Sequence, residues 1–364
     1  MNVAGIQDPA LQPIYEKVAA GRRLSREDGC TLFGSFDLLG VGRLAQIVRE
    51  RLHGNKAYYI YNQHINYSNI CVNGCKFCAF GRKAGEAGAY EMRLPEIFAK
   101  VEERLHEPIT EIHIVGGCHP DLPLAYYLDM LRGIKARRPE VHLQAFTAVE
   151  VAHLADKAEL SVADTLAALK EAGLGSLPGG GAEVFSPRVR QRLCPEKLSP
   201  AGWLEVARTA HRLGLNTNAT MLYGHMESVD ERVDHLVKLR AAQDETGGFL
   251  AFIPLAFHPA NTELSDLSGP SAIDDLKTLA ISRLMLDNFP HIKAFWVMLG
   301  PKLSQISLCF GVDDVDGTVM EERITHMAGA QTPQGMTRMQ LQALIREAGC
   351  EPVERDTLYQ VIAA

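Results

Sequence analysis

The sequence predicts an α/β protein built as a parallel (β/α)8 barrel of the TIM type, flanked by a helical N-terminal extension and a C-terminal helix. Three observations carry that expectation. From residue 58 onward short β-rich runs alternate with longer amphipathic segments, the pattern of a parallel sheet covered by helices. Eight such runs are present, the number that closes a barrel. Hydrophobic residues make up 46% of 364, enough to fill a large core.

Residues 1–57 read as the helical extension. Leu44, Ile47, Val48 and Leu52 recur at helical spacing, and Ser25 with Asp28 has the form of a capping box. Strands are expected at Tyr58–Asn66, Glu111–Val115, His142–Phe146, Gly175–Leu177, Thr217–Leu222, Leu250–Phe257, Ala294–Leu299 and Ile306–Phe310. Helices are expected at Pro95–His106, Leu122–Arg137, Ser161–Ala172, Pro200–Leu213, Asp230–Glu245 and Ile273–Asn288, with Ala172-Gly173 and Leu213-Gly214 as C-caps. No full helix separates the last two strands, so an irregular closure stays open. A last helix is expected from Thr337 to Ala348. With no convincing linker, residues 58–364 read as one barrel domain.

Charge narrows the function. Lysine plus arginine number 37 against 44 acids, a net −7, with no basic run, so no nucleic-acid partner is expected. No apolar stretch has membrane-spanning length, and the N-terminus lacks the charged-then-apolar order of an export signal. A cytoplasmic protein with no membrane partner is expected. Cys30, Cys118, Cys194, Cys309 and Cys350 are scattered and read as buried, reduced thiols.

The strongest chemical signal is Cys71-x₃-Cys75-x₂-Cys78. Three thiolates so close select zinc or an iron–sulfur cluster. Structural zinc wants a fourth ligand, usually from a second paired half, and no second C-x₂-C exists. Three cysteines can instead hold three irons of a cubane and leave the fourth open. Zinc stays as the alternative. Phe77 completes a C-x₃-C-x-Φ-C motif that resembles the radical S-adenosylmethionine (SAM) enzymes. That resemblance implies a [4Fe-4S] cluster on Cys71, Cys75 and Cys78, with SAM bound at the open iron.

Catalytic groups of a parallel barrel come from the strand ends. The second strand ends in Gly116-Gly117-Cys118-His119. The two glycines resemble the GGE-type segment that holds SAM's amino group, although Cys118 stands where the acid is usual. After the fourth strand, Gly179-Gly180-Gly181 precedes Glu183, with no following Lys-Ser/Thr of a phosphate loop. Glu183 and Lys197 are candidates for the polar ends of SAM; a surface ion pair is the competing reading of each. His64, His119 and His225 are the candidate catalytic histidines, with Asn66 and His258 on the same rim. Arg82 is a candidate for a substrate carboxylate.

Longer stretches carry a closer resemblance. His64–Phe80, His113–Gly117, Ala145–Glu150, Ser176–Glu183, Asn218–His225 and Phe252–Pro259 resemble the futalosine-pathway branch of the radical SAM enzymes, in menaquinone biosynthesis. That branch also includes deazaflavin-cofactor synthases. Asn218–His225 and Phe252–Pro259 are most similar to the aminofutalosine synthase family; its sister, dehypoxanthine futalosine cyclase, shares many of the same stretches. The resemblance implies a transferase that consumes SAM as co-substrate. The 5′-deoxyadenosyl radical adds to the vinyl carbon of 3-[(1-carboxyvinyl)oxy]benzoate; rearrangement and decarboxylation then give 6-amino-6-deoxyfutalosine. An electron donor such as flavodoxin or ferredoxin is implied as partner.

Overall fold

The computed structural model describes residues 5–362. Three helices open the chain, α1 (Gln12–Ala19), α2 (Arg26–Gly34) and α3 (Leu38–His53). The Ser25 hydroxyl accepts from Asp28 N while the Asp28 carboxylate accepts from Ser25 N, so the capping box expected from the sequence starts α2. The helices bury Leu32, Val41 and Leu44 against the barrel's outer face.

Then follow β1 (Lys56–Ile60), β2 (Asn62–Ile65), α4 (Leu94–Glu102), β3 (Glu111–Ile114), α5 (Leu124–Arg137), β4 (His142–Ala145), α6 (Ala148–Lys157), α7 (Val162–Glu171), β5 (Ser176–Leu177), α8 (Pro187–Leu193), α9 (Pro200–Arg212) and β6 (Asn216–Tyr223). The second half comprises α10 (Val229–Thr246), β7 (Phe249–Ala256), α11 (Ala272–Met285), β8 (His291–Ile292), α12 (Trp296–Leu299) and α13 (Pro301–Ser307). The chain ends with β9 (Asp314–Gly317), α14 (Ile324–Met327), α15 (Arg338–Glu347) and β10 (Glu351–Glu354).

Strands β2 to β8 lie side by side in chain order as one curled parallel sheet of seven strands, with helices around it. The parallel α/β barrel is as expected, but the main sheet has seven strands, not eight. A second parallel sheet of three strands, in the order β10-β1-β9, stands beside it. Single bridges Gln63–Met320 and Lys293–Asp314 tie residues 314–320 to both edges of the main sheet.

The differences from the expected elements have local causes. The run 58–66 is two strands because its partners change at Tyr61. Ile60 O accepts from Thr318 N, whereas Tyr61 O accepts from Thr110 N, ahead of β3. Ala294–Leu299 is not a strand. Ala294 N still donates to Asp314 O, but Trp296 folds back into α12 and its indole N–H donates to Gly317 O at 2.8 Å. Most of Ile306–Phe310 lies at the end of α13 or in the turn after it, because Pro301 starts a helix at its first position. Packing overrides the β propensity of these apolar runs. Helices α6 and α8 are additions to the expected set, and Thr147 and Ser186 cap them.

Candidate active site

Inward-facing residues of the main sheet enclose a cavity of about 480 Å³ that opens at the C-terminal ends of the strands. Cys71, Cys75, Cys78, Phe77, Gly116, Gly117, Glu183, Lys197 and His64 all line it. The structure thus brings together groups spread over more than a hundred residues of chain.

The cysteine loop follows β2 and is held from several sides. Cys71 N donates to Arg82 O, Val72 N to Cys118 O, and Lys76 N to Leu193 O at the end of α8. Arg82 donates to Ala79 O and Gly81 O, both at 2.8 Å, so it braces this loop and is not left free for a carboxylate. Gly81 N lies 3.2 Å from Cys78 Sγ, a backbone donor that favours the thiolate. None of the three cysteines is in a disulfide. Three half-buried thiols converging on a cavity, with an amide aimed at one sulfur, fit a cluster held by three thiolates and reached by a ligand from the cavity side.

Two further thiols lie against this set. Cys118 shares a thiol hydrogen bond with Cys71, which lowers the Cys71 thiol below the ordinary cysteine range. Cys194 stands in the same relation to Cys75, whose thiol this bond and burial push up. Both are buried, as is Cys350, but Cys309 is exposed and Cys30 half-buried, against the sequence expectation.

Gly116 and Gly117 are required first by packing. A Cβ on Gly117 would sit 2.2 Å from Ile70 O, and one on Gly116 would sit 2.6 Å from Tyr67 Cζ. The strand end therefore presses directly onto the cysteine loop. Glu150 fixes it there, accepting from Gly116 N at 3.0 Å, Tyr67 O–H at 2.8 Å, and both Thr147 N and Thr147 Oγ1 at 2.8 Å. Burial pushes the Glu150 carboxyl up to about 7 against the pull of these donors. Sequence reasoning missed Glu150 as a site residue; Thr147-x-x-Glu150 is the capping box of α6 and is legible as such.

Glu183 and Lys197 are not surface residues. They meet at 2.6 Å with side chains 11% and 13% exposed. Burial alone would lower the Lys197 ammonium, but the Glu183 carboxylate and the nearby Cys75 hold it above the ordinary lysine range. Lys197 Nζ also lies 5.4 Å from the Phe77 ring centre. Glu183, one residue beyond Ala182 at the end of the glycine run, takes a positive φ of 52°.

His64 lines the cavity, stacked on His113 at 4.5 Å, and its Nε2 has no hydrogen-bond partner. Burial keeps its imidazole neutral by pushing its pKa well below the ordinary value. Two other candidates are not at the cavity. His119 is buried with Nδ1 accepting from Asp121 N and Leu122 N, and Nε2 2.8 Å from the Glu91 carboxylate. His225 turns away to Glu227 at 2.8 Å and Leu222 O at 3.1 Å. Both follow a strand end, but each side chain is taken up by its own surroundings. The barrel interior supplies groups that sequence reasoning missed: Glu111, His113, Gln144, Thr220, Lys293 and Asp316. Lys293 carries a signal, a lone lysine in the apolar run from Ile292 to Phe295.

A curled parallel sheet with a three-cysteine loop after its first strand and a cavity beneath it defines a radical SAM enzyme. The match of residues 65–239 to the radical SAM superfamily model agrees. A [4Fe-4S] cluster and SAM as co-substrate come with that class. Residues 246–364 match the model of the CofH/MqnC C-terminal region. The chain is 52% identical to the aminodeoxyfutalosine synthase of Thermus thermophilus over 98% of its own length and 97% of that protein's. It is 45% identical to the Streptomyces coelicolor aminodeoxyfutalosine synthase, covering 96% and 93%. Against the 5-amino-6-(D-ribitylamino)uracil–L-tyrosine 4-hydroxyphenyl transferase of Methanopyrus kandleri it is 40% identical, covering 91% of each chain. Among solved structures it resembles methylornithine synthase, with a TM-score of 0.75 at 18% identity over 93% of this chain and 97% of that one. The chain belongs to the aminodeoxyfutalosine synthase family, within the menaquinone branch expected from the sequence.

Proposed function

We propose that the chain transfers the 5′-deoxyadenosyl group of SAM, with methionine leaving, to 3-[(1-carboxyvinyl)oxy]benzoate, and that rearrangement onto the ring and decarboxylation then give 6-amino-6-deoxyfutalosine. The observation that carries this reading is the 52% identity to an aminodeoxyfutalosine synthase over essentially the whole chain. When bound, the reduced cluster supplies the electron that cleaves SAM and frees its adenosyl group for addition to the vinyl carbon. The rest of the work belongs to the protein. Cys71, Cys75 and Cys78 hold the cluster. The Gly116–Gly117 backbone, the Glu183–Lys197 pair and Phe77 line the wall where SAM is oriented. Val115, Leu222, Ile253, Leu255 and Phe295 give the cavity an apolar belt suited to an aromatic ring. His64, with its free Nε2, faces the substrate space. The reductant in this reading is a small electron carrier such as flavodoxin or ferredoxin.

The test is anaerobic incubation of reconstituted protein with dithionite, the enolpyruvyl benzoate and SAM labelled in its adenosyl group. The label is expected in a nucleoside heavier than either reactant fragment. Label found only in 5′-deoxyadenosine, with cyclisation of dehypoxanthine futalosine, reverses the assignment to the sister cyclase.

A further inference from the structure

Among the described residues, four lysine or arginine side chains line the cavity: Arg82, Lys83, Lys197 and Lys293. Three are satisfied. Arg82 donates to two carbonyls of the cysteine loop at 2.8 Å, Lys83 to Val72 O at 2.6 Å, and Lys197 to Glu183 at 2.6 Å. Lys293 differs. Its side chain is 8% exposed, its ion-pair partner is Asp316 at 3.5 Å, and its ammonium makes no hydrogen bond to a described residue. A buried ammonium without close acceptors is costly, and a ligand that supplies them is bound strongly.

Its position gives the ligand's orientation. Lys293 directly follows β8, and its amide donates to Phe252 O in the middle of β7. It therefore stands inside the barrel, whereas the cysteine loop lies beyond the strand ends. Ile253, Leu255 and Phe295 form apolar wall between the two levels. Beside Lys293 are the stacked His64 and His113, the former with an unpartnered Nε2.

We propose that Lys293 anchors the aromatic carboxylate of the substrate, seating the ring on the apolar wall with the enolpyruvyl group turned toward the cysteine loop. This rests on the substrate reading above. Lys293 is a binding and specificity residue that sets which end of the molecule reaches the adenosyl group; it takes part in no bond-making step.

The experiment compares holoenzyme and Lys293→Met on two substrates, 3-[(1-carboxyvinyl)oxy]benzoate and the phenyl enolpyruvyl ether that lacks the ring carboxylate. For the benzoate, KM is expected to rise roughly 10–100-fold in Lys293→Met, the range of one charge-assisted hydrogen bond. Its kcat is expected to stay within about threefold, because binding and not chemistry is lost. For the phenyl ether the two proteins are expected to share one KM. Iron content and SAM affinity, unchanged from wild type, show that the variant is folded. Lys293→Gln serves if Lys293→Met does not fold. Should neither fold, wild type itself must prefer the benzoate over the ether by the same factor. An unchanged KM for the benzoate, an equal loss on both substrates, or no wild-type preference overturns the proposal. Failure of wild type to convert the benzoate at all is a separate result and refutes the substrate reading.

Discussion

Gly117→Ala tests the claim that the glycine pair exists to let the end of β3 reach the cysteine loop. The added Cβ would stand 2.2 Å from Ile70 O, 2.8 Å from Ile70 C and 3.0 Å from Cys71 Cβ. Ordinary contact begins at 3.4 Å, so the backbone of Ile70 must retreat by about 1.2 Å. No flexible side chain can absorb this, since two of the three atoms are main chain. Gly117 N is also tied to Ser68 O at 2.9 Å, and Val72 N to Cys118 O at 2.9 Å, so the two segments cannot separate without losing those bonds. Overpacking of this kind costs about 1–3 kcal/mol. The larger consequence is geometric, because cluster ligands must hold position to within about 0.2 Å and Cys71 is the next residue along. Iron retained after reconstitution and desalting is expected to fall several-fold, with SAM affinity falling alongside. Gly74→Ala is the control in the same loop, where the nearest atom to a new Cβ is Glu196 Oε2 at 3.6 Å. If Gly117→Ala keeps wild-type iron and wild-type SAM affinity, the packing argument is wrong.

Cys71→Ala, Cys75→Ala and Cys78→Ala are each expected to lose the cluster's absorption near 400 nm and all turnover, while Cys30→Ala keeps wild-type iron; cluster loss in Cys30→Ala would show the ligand set to be incomplete. Lys197→Met leaves the Glu183 carboxylate buried without its 2.6 Å partner and should destabilise by about 3 kcal/mol. The double change with Glu183→Gln should recover part of that in thermal melts, and additive losses would argue against a coupled pair. The imidazole of His326, raised to about 9 chiefly by its hydrogen bond to Glu322, lies next to the cavity wall formed by Glu322 and Thr325. A folded pKa above the unfolded value gives a stability contribution complete below about pH 6.5 and lost as pH rises toward 9. Wild type should therefore melt progressively lower across that window and His326→Gln should not, and parallel melting curves would reject the idea.

Much of the site is legible in the residue pattern. Thiols at i, i+4 and i+7 have few uses, so the cluster motif announces its chemistry by spacing alone. Gly116-Gly117 and the run Gly179–Gly181 mark close backbone approach by residue type, though not what approaches. Histidines are harder to read. His64, His119 and His225 all sit near strand ends in sequence, yet only His64 lines the cavity, because local amides, carbonyls and carboxylates capture the other two. Position on a rim does not fix the direction of a side chain.

Period, spacing and residue type are local properties, and they suffice for the parallel α/β pattern, the three-cysteine loop and the family. Folding in three dimensions settles the rest. Trp296 turns into α12 and bonds Gly317 O, and the main sheet holds seven strands. Glu150 holds Gly116 in place, and Lys293 meets Asp316 at 3.5 Å inside the barrel. These are relations between residues far apart in the chain. They depend on sheet register and on which partner wins each buried polar group, and short-range sequence pattern encodes neither.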